Sequence, residues 1–191
     1  MNTFIFMGRP GCGKGMQARL LSEKTGISIF STGVKLREIA ASQTDAAKKV
    51  KRIIDSGDLM PSWFVTFLYQ QILMSLKPGE GVIFEGVGRR KEEVVIFNEI
   101  CEWFERDYRV IYLEVSEKSV TDRLLKRKAQ EGRVDDDPYK LETRFKNYEK
   151  YTVPALDYFR SVGKVVDIDG EPLPDVVFSQ VWKAVSPLIN D

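Results

Sequence analysis

Short, continuous runs of apolar residues recur along the chain, separated by stretches whose apolar residues repeat every three or four positions. The runs are rich in Ile, Val and Phe and lack the strict alternation of a half-exposed strand, so they predict strands buried on both faces. They occupy 4–7, 27–30, 81–85, 109–115 and 164–168. Strands that alternate with helices predict one parallel sheet covered on both faces, with ligands at the carboxyl ends of the strands.

The helical pattern fills the intervals between these strands. Glycine and proline mark where the helices begin and end. Helices are predicted over 17–24, 34–56 as two short helices, 61–76, about 91–106, 117–128, 137–160 and 174–189. In the helix that begins near Pro61, we expect an apolar side facing the core, formed by Trp63, Phe64, Phe67, Leu68 and Ile72.

The composition limits the number of domains and the kinds of partner that we expect for this protein. The 191 residues hold no low-complexity linker, so one domain over 1–191 is expected. With 29 basic and 28 acidic residues the net charge is +1, which favours neither a nucleic-acid nor a membrane partner. No segment resembles a secretion signal or a membrane span, so a cytoplasmic protein, by default a monomer, is expected.

The side-chain inventory also restricts the chemistry. Histidine is absent, which excludes histidine acid–base catalysis and most zinc sites. Two cysteines, Cys12 and Cys101, are too few for a disulfide framework. Cys12 either fills space in a glycine-rich turn or, beside a helix start and a lysine, has a redox role.

The turn after the first strand carries the strongest signal in the chain. It contains the spacing Gly8-x-x-x-x-Gly13-Lys14. Glycines let the backbone wrap a phosphate with its N–H groups pointing inward, and the following helix and the lysine add positive charge. Ser or Thr usually follows the lysine to bind magnesium, but here Gly15 and Met16 follow, and neither can bind a metal. The turn predicts nucleotide or phosphate binding.

Arginines later in the chain form a second group of candidates. Arg123 and Arg127 are four residues apart and share one face of a helix. Arg133 and Arg144 follow within the next twenty or so positions. Taken alone, such residues are most often a solvated basic surface.

Six segments of the sequence, taken together, indicate a function for these arginines. They are Gly8-Arg-Pro-Gly-Cys-Gly-Lys-Gly15, Ser31-Thr-Gly33 with Arg37, Gly57-Asp-Leu-Met-Pro61, Glu85-Gly-Val-Gly-Arg89, Arg123-Leu-Leu-Lys-Arg127 and Gly132-Arg-Val-Asp-Asp136. In order and spacing they resemble the adenylate kinase family over nearly the whole chain. The resemblance implies a P-loop NTPase fold of three α/β/α layers around a five-stranded parallel sheet. It also implies a small helical lobe at 31–61 that binds the nucleoside monophosphate, and a short lid at 127–137 without a zinc insert.

The resemblance implies an enzyme that converts ATP and AMP to two ADP, with Mg²⁺ supplied with ATP. Its catalytic residues would be Lys14, Arg89, Arg123, Arg133 and Arg144. ATP would be bound by Gly11, Cys12, Gly13, Lys14, Gly15, Met16, Arg123 and Arg127. The monophosphate would be bound by Thr32, Arg37, Leu59, Met60, Gly86, Arg89, Glu93, Arg133 and Arg144.

Within that set the resemblance also implies individual roles. Arg37 and Arg89 would hold the acceptor phosphate. The transferring phosphoryl group would be surrounded by Arg123, Arg133 and Arg144, with Arg127 beside the donor base. Glu85 would orient magnesium-bound water, and Asp135 and Asp136 would orient either arginines or magnesium-bound water. Phosphoryl transfer needs positioning and dispersed positive charge, which a site without histidine can supply.

The sequence departs from the family pattern on the acceptor and metal side. The differing residues are Met16, Val34, Glu85, Val87, Gly88 and Glu93. We expect the Val87-Gly88 pair to be flexible. Glu93 replaces the family's glutamine, and an ionised carboxylate suits the N–H groups of guanine better than N1 of adenine. Alternatively, Glu93 turns to solvent.

Two other functions remain open from the sequence. One is a divergent ATP-binding protein with a regulatory or scaffolding role and weak turnover, which the departures favour. The other is a different small-molecule kinase with a P-loop core, acting for example on shikimate or a nucleoside, which the segment 132–136 disfavours.

Overall fold

Five parallel strands form the centre of the computed structural model, which describes residues 2–131 and 138–189. The strands are β1 (Thr3–Gly8), β2 (Ser28–Ser31), β3 (Val82–Glu85), β4 (Arg109–Glu114) and β5 (Val165–Asp169). Their order across the sheet is β2-β3-β1-β4-β5. This confirms the predicted parallel sheet, and the bounds of each strand lie within one residue of those predicted.

Strand β1 is central and entirely buried. Ile5 pairs with Phe84 of β3 on one side and Val110 of β4 on the other. Successive side chains point to opposite faces, so Ile5 and Met7 join one hydrophobic core while Phe4 and Phe6 join the other. A strand that supplies both cores has to be apolar throughout, which is why its sequence shows no alternation.

Helices cover both faces of the sheet. They are α1 (Lys14–Thr25), α2 (Thr32–Ala40), α3 (Asp45–Ser56), α4 (Ser62–Ser75), α5 (Lys91–Trp103), α6 (Glu117–Glu131), α7 (Pro138–Asn147), α8 (Val153–Ser161) and α9 (Pro174–Val185). The core on one face takes side chains from α4, α5 and α8. The opposite core takes side chains from α1, α6 and α9. The three-layer α/β/α architecture is therefore confirmed.

The predicted buried side of α4 is partly wrong. Trp63 and Phe67 are 70% and 52% exposed, whereas Thr66 and Tyr69 are buried. The Tyr69 ring packs edge-on against Phe97, and its hydroxyl donates to the carbonyl of Glu93 at 2.8 Å. The hydroxyl groups of Thr66 and Tyr69 are hydrogen-bonded inside, and the helix turns Trp63 and Phe67 to solvent.

The long helix predicted over 137–160 is interrupted. Helix α7 passes into a π-helical turn, Tyr148–Thr152, before α8 begins. The N–H of Val153 donates to the carbonyl of Tyr148, five residues back. Pro154 follows at once, and because it has no N–H and crowds the carbonyl four residues earlier, the regular helix cannot continue through it.

The last helix is shorter than the predicted 174–189. Helix α9 ends at Val185, and a 3₁₀ turn, Ser186–Leu188, follows it. Pro187 removes the donor that a further α-helical turn would need. Within the described residues, each helix is too short or too polar to cross a bilayer.

Candidate functional site

A cavity of about 710 Å³ opens at the carboxyl edge of the sheet. The segments that follow β1, β2, β3 and β5 all contribute to its wall. Strand β1 lies between β3 and β4, so the chain crosses to opposite sides of the sheet from this point, and parallel α/β sheets bind ligands at such a switch. Loops that are far apart in sequence therefore converge here.

One end of the cavity is formed by the glycine-rich turn between β1 and α1. Gly8, Gly11 and Gly13 have φ of 142°, 86° and 101°, which L side chains rarely adopt. A Cβ on Gly8 would lie 2.6 Å from the carbonyl oxygen of Leu113. The turn thus approaches β4 closely and leads into α1, whose first N–H groups have no partners within the helix. That arrangement suits an anion.

The ammonium group of Lys14 lies over this turn. Its Nζ donates to the carbonyl oxygens of Gly8 and Arg9 at 2.9 and 2.8 Å, and lies 3.5 Å from Cys12 Sγ. Cys12 is only 2% exposed and packs in the core, which favours its interpretation as a space-filling residue. Met16 is 44% exposed and, like Gly11, Gly13 and Gly15, lines the cavity.

Glu85 joins the first end of the cavity to the second. Its Oε2 accepts a 2.6 Å hydrogen bond from Ser31 Oγ, which links the ends of β3 and β2. Burial works to raise the pKa of Glu85. The ammonium of Lys14, the Ser31 hydroxyl and the guanidinium groups of Arg89 and Arg37 outweigh it, so the pKa lies below its usual value. Glu85 is therefore an ionised carboxylate amid cations.

The second end of the cavity is a mostly apolar compartment between α2, α3, α4 and the segment after β3. Its walls are formed by Leu36, Ile53, Ile54, Leu59, Met60, Val65 and Val87. Thr32 is 4% exposed, and its hydroxyl oxygen has no hydrogen-bond partner among the described residues. Gly86 lies beside Thr32 with a positive φ of 82°. An apolar slot with few polar groups suits a planar ring.

The segment after β3 is packed, contrary to the expectation of flexibility. Val87 is 2% exposed. A Cβ on Gly88 would lie 2.9 Å from Val94 Cγ1 and 3.4 Å from the ring of Phe159. Only glycine at position 88 lets the backbone approach α5 and α8 this closely. The Val87-Gly88 pair is therefore held by packing and forms part of the cavity wall.

Glu93 is buried, and the alternative that it turns to solvent is wrong. It is 1% exposed and lines the cavity from the first turn of α5. Its Oε2 accepts from the backbone N–H groups of Arg89 and Arg90, at 2.9 and 3.4 Å. Burial raises the pKa of Glu93 to about 7, against the opposing effect of those N–H groups and of both guanidinium groups.

The predicted arginines converge on the cavity as far as the structure describes them. The lining includes Arg37, Arg89, Arg123, Arg127 and Arg144. Arg123 Nη2 donates at 3.0 Å to the carbonyl oxygens of both Gly170 and Glu171, so this guanidinium lies against the loop after β5. Arg133, Asp135 and Asp136 lie outside the described residues.

Sequence reasoning missed the loop after β5 and the residue that faces it. Gln17 is 3% exposed; its Nε2 donates to Pro174 O at 2.9 Å, and its Oε1 has no partner among the described residues. Pro172 and Leu173 continue this wall. The available signal was a polar residue on the inner side of α1, three positions after Lys14.

The described residues contain no group of three or more His, Cys, Asp or Glu side chains that could hold a metal ion. At the cavity, Glu85 is the carboxylate beside Lys14, and hard cations such as Mg²⁺ prefer oxygen ligands. A magnesium ion that arrives with a nucleotide fits this position through bound water better than it fits Gly15 or Met16.

Comparisons with known proteins agree with this geometry. A family model described as adenylate kinase matches residues 6–164. A protein named adenylate kinase from Caulobacter sp. strain K31 is 33% identical over 187 residues, which cover 97% of this chain and 98% of that protein. One from Phocaeicola vulgatus is 32% identical over 189 residues, covering 98% and 100%. One from Leptospira biflexa is 31% identical over 186 residues, covering 97% and 100%.

Proposed function

The chain belongs to the adenylate kinase family, and we propose that it transfers the γ-phosphoryl group of MgATP to AMP, giving two ADP. Its relatives make it a nucleoside monophosphate kinase, and AMP as the acceptor is the finer part of the proposal. One observation supports it above the others. At one end of a single cavity, the glycine-rich turn 8–13 and Lys14 form a cradle for phosphate. At the other end, beyond Glu85, lies an apolar compartment flanked by Arg37 and Arg89.

The cradle is the proposed site of the donor triphosphate. Gly11, Cys12, Gly13, Gly15 and Met16 supply the backbone around it, and Lys14 supplies the mobile charge. In this structure the Lys14 ammonium donates to two carbonyl oxygens of its own turn. When a phosphate binds, Lys14 exchanges these neutral acceptors for a charged one, which makes a stronger hydrogen bond.

The loop after β5 supports a refinement of the arginine roles. Arg123 is held by two carbonyl groups of that loop, beside Pro172 and Leu173. This contact favours a place for Arg123 beside the donor base. We therefore propose that Arg127, one turn further along α6, takes the place near the transferring phosphoryl group that the sequence assigned to Arg123.

At the acceptor end, Arg37 and Arg89 are proposed to hold the monophosphate, with Glu85 keeping their guanidinium groups in place. The base then enters the compartment lined by Thr32, Leu59, Met60, Gly86 and Glu93. Arg144 lines the same cavity, and with Arg133 it is proposed to stabilise charge on the transferring group.

This chemistry needs neither a nucleophilic side chain that forms a covalent intermediate nor a side chain that acts as general base. In-line transfer depends on holding two phosphates together and on compensating the charge that spreads over the transferring oxygens. Glu85 is proposed to orient water bound to the magnesium of MgATP, as are Asp135 and Asp136, and the ion itself neutralises phosphate charge. An active cytoplasmic monomer stays a prediction from the sequence.

Initial rates of phosphoryl transfer test the proposal. MgATP is supplied with AMP, GMP, CMP, UMP or no acceptor, and Lys14→Ala serves as the blank. We expect AMP-dependent ADP formation that the blank loses. Absence of turnover with all four acceptors, together with measurable ATP binding, would establish the divergent nucleotide-binding protein instead.

A further inference from the structure

Glu93 occupies an unusual position for an acidic side chain. It sits inside the acceptor compartment at 1% exposure, among walls that are mostly apolar. The backbone N–H groups of Arg89 and Arg90 both bind Oε2. Since Oε2 is already occupied, Oε1 is the atom that this carboxyl group offers to a ligand.

We propose that Oε1 of Glu93 selects the acceptor base, donating to adenine as a neutral acid and accepting from guanine as a carboxylate. This inference rests on the proposed function, because it assumes that the compartment holds the acceptor base. Protonation belongs on Oε1, since the two N–H donors require acceptor electron pairs on Oε2. The protonation state of one residue would then decide which purine fits.

Hydrogen-bond complementarity gives the two outcomes opposite signs. N1 of adenine is an acceptor, so it matches the O–H of neutral Glu93 and is left facing an acceptor when Glu93 is ionised. N1 of guanine carries a proton, so it matches the carboxylate and clashes with the acid. A mismatched pair leaves two buried polar groups unsatisfied, which typically costs far more than the matched bond gains.

Thr32 completes the recognition of adenine. Its buried hydroxyl has no partner among the described residues and lines the same cavity. A hydroxyl oxygen can accept from the exocyclic amino group of adenine while Glu93 donates to N1. The same hydroxyl can donate to the exocyclic oxygen of guanine, so Thr32 tolerates both bases and leaves the choice to Glu93.

The surroundings of the carboxyl group place its titration in the accessible range. Burial raises the pKa of Glu93 to about 7, although Arg89 and Arg90 on the same turn oppose that rise. From the facing helix α4, Tyr69 contributes a hydroxyl whose own pKa burial raises far above neutral, so it stays uncharged. The AMP phosphate, held by Arg37 and Arg89, adds negative charge that favours the neutral acid further.

The test is the ratio of the dissociation constants of GMP and AMP between about pH 6 and about pH 8.5. Both nucleotides carry the same phosphate, so its ionisation cancels in the ratio. Equilibrium binding is followed by calorimetry, without ATP. We expect the preference for AMP over GMP to fall by at least tenfold across this range, because one linked proton changes a binding constant by up to about tenfold per pH unit.

Glu93→Gln is the matched control. Its amide carbonyl can accept from the same two N–H groups, which leaves the amino group to donate inward at every pH. The variant should favour AMP, with a ratio that does not change with pH. A carboxyl ¹³C signal of Glu93 that titrates near pH 7 and moves upward when AMP binds would identify the group directly.

The outcomes separate the two proposals. A ratio in the wild type that stays constant with pH overturns the role of Glu93, even where AMP is an efficient acceptor. A pH-dependent ratio that Glu93→Gln abolishes supports it, even where phosphoryl transfer fails and the proposed function falls. A pH dependence that persists unchanged in Glu93→Gln assigns the effect to another group and also overturns the proposal.

Discussion

One end of the cavity is formed mainly by the backbone, and the other mainly by side chains. At the donor end, glycines with positive φ bring the backbone around a space, and Lys14 supplies the charge. At the acceptor end, side chains supply the polar groups. They are Glu85 among cations, the buried acid Glu93 and the hydroxyl of Thr32, which has no hydrogen-bond partner among the described residues. A backbone site recognises what all nucleotides share, whereas a side-chain site can be retuned by single substitutions. Four of the departures from the family pattern lie at the acceptor end, whereas Met16 lies at the donor end and Glu85 between the two; the four are Val34, Val87, Gly88 and Glu93.

Glu85 and Glu93 show the same contrast in electrostatic terms. Glu85 is surrounded by Lys14, Arg37 and Arg89, and its pKa is lowered. Glu93 has mainly apolar neighbours, and its pKa is raised to about 7. The pKa values of two carboxyl groups in one cavity are therefore shifted in opposite directions. We propose that the first organises the groups that bind phosphate and that the second selects the base.

The largest effect is expected from the donor end. Lys14→Ala should lower kcat by about 10² or more, since it removes a full positive charge from the cradle. The control is Lys24→Ala on the same helix, whose ammonium lies over the ring of Trp182. We expect near wild-type rates from the control. Retention of more than about a tenth of kcat by Lys14→Ala would refute its assigned role, because a charged contact contributes roughly 1.5–3 kcal/mol.

Next in size is an effect confined to the acceptor end. Arg89→Ala should weaken AMP binding by roughly 10- to 100-fold, the equivalent of one charged hydrogen-bonded contact, and leave ATP binding nearly unchanged. Arg90→Ala is the neighbouring control, because the Arg90 guanidinium lies 4.1 Å from the ring centre of Tyr151. Titration of both variants with both nucleotides measures the effect. Equal losses for ATP and AMP in Arg89→Ala would contradict the separation of the two ends.

Glu93→Gln should stabilise the fold in alkaline solution. The folded pKa of Glu93 lies above that of an unfolded glutamate, so its ionisation destabilises the fold as pH rises from about 4.5 through about 7. Removing the charge should raise the free energy of unfolding near pH 8 by on the order of 2 kcal/mol. Urea unfolding checks this, and the difference from wild type should vanish near pH 4. A variant less stable than wild type at pH 8 would be inconsistent with a buried, strained acid.

The smallest effect has the opposite sign. The pKa of Glu85 is lowered, so its contribution to stability is present above the ordinary glutamate pKa and is lost as the pH falls through the lower folded value. Glu85→Gln should therefore reduce the free energy of unfolding at pH 7 by about 1 kcal/mol, since three cations lose their counter-charge. Urea unfolding at pH 7 and at about pH 3.5 tests this, because the gap should narrow in acid. A stabilised Glu85→Gln variant would place Glu85 outside the cationic group.

The sequence predicts the donor end well because glycine spacing reports backbone geometry directly. Gly8, Gly11 and Gly13 adopt the conformations that their positions require, and β1 is buried on both faces as its apolar run indicates. Continuous apolar runs likewise predict the sheet, and apolar periodicity predicts most helices. Local composition is a sufficient guide wherever structure depends on local conformation.

Tertiary contacts account for what the sequence could not predict. Tyr69 is buried and Trp63 is exposed because a carbonyl of α5 accepts the tyrosine hydroxyl, which no pattern within α4 reveals. Glu93 lies inside the cavity and not in solvent because two backbone N–H groups hold it there, which the sequence left open. Arg123 meets a loop more than forty residues away. Such contacts depend on which surfaces the fold brings together.

The central claim is that one cavity holds two nucleotide sites of different construction, and a binding matrix tests it most directly. The dissociation constants of ATP and AMP are measured for the wild type, Lys14→Ala and Arg89→Ala. The account predicts that Lys14→Ala loses affinity mainly for ATP and Arg89→Ala mainly for AMP. Parallel losses of both nucleotides in both variants would contradict it, because they would indicate a single shared site.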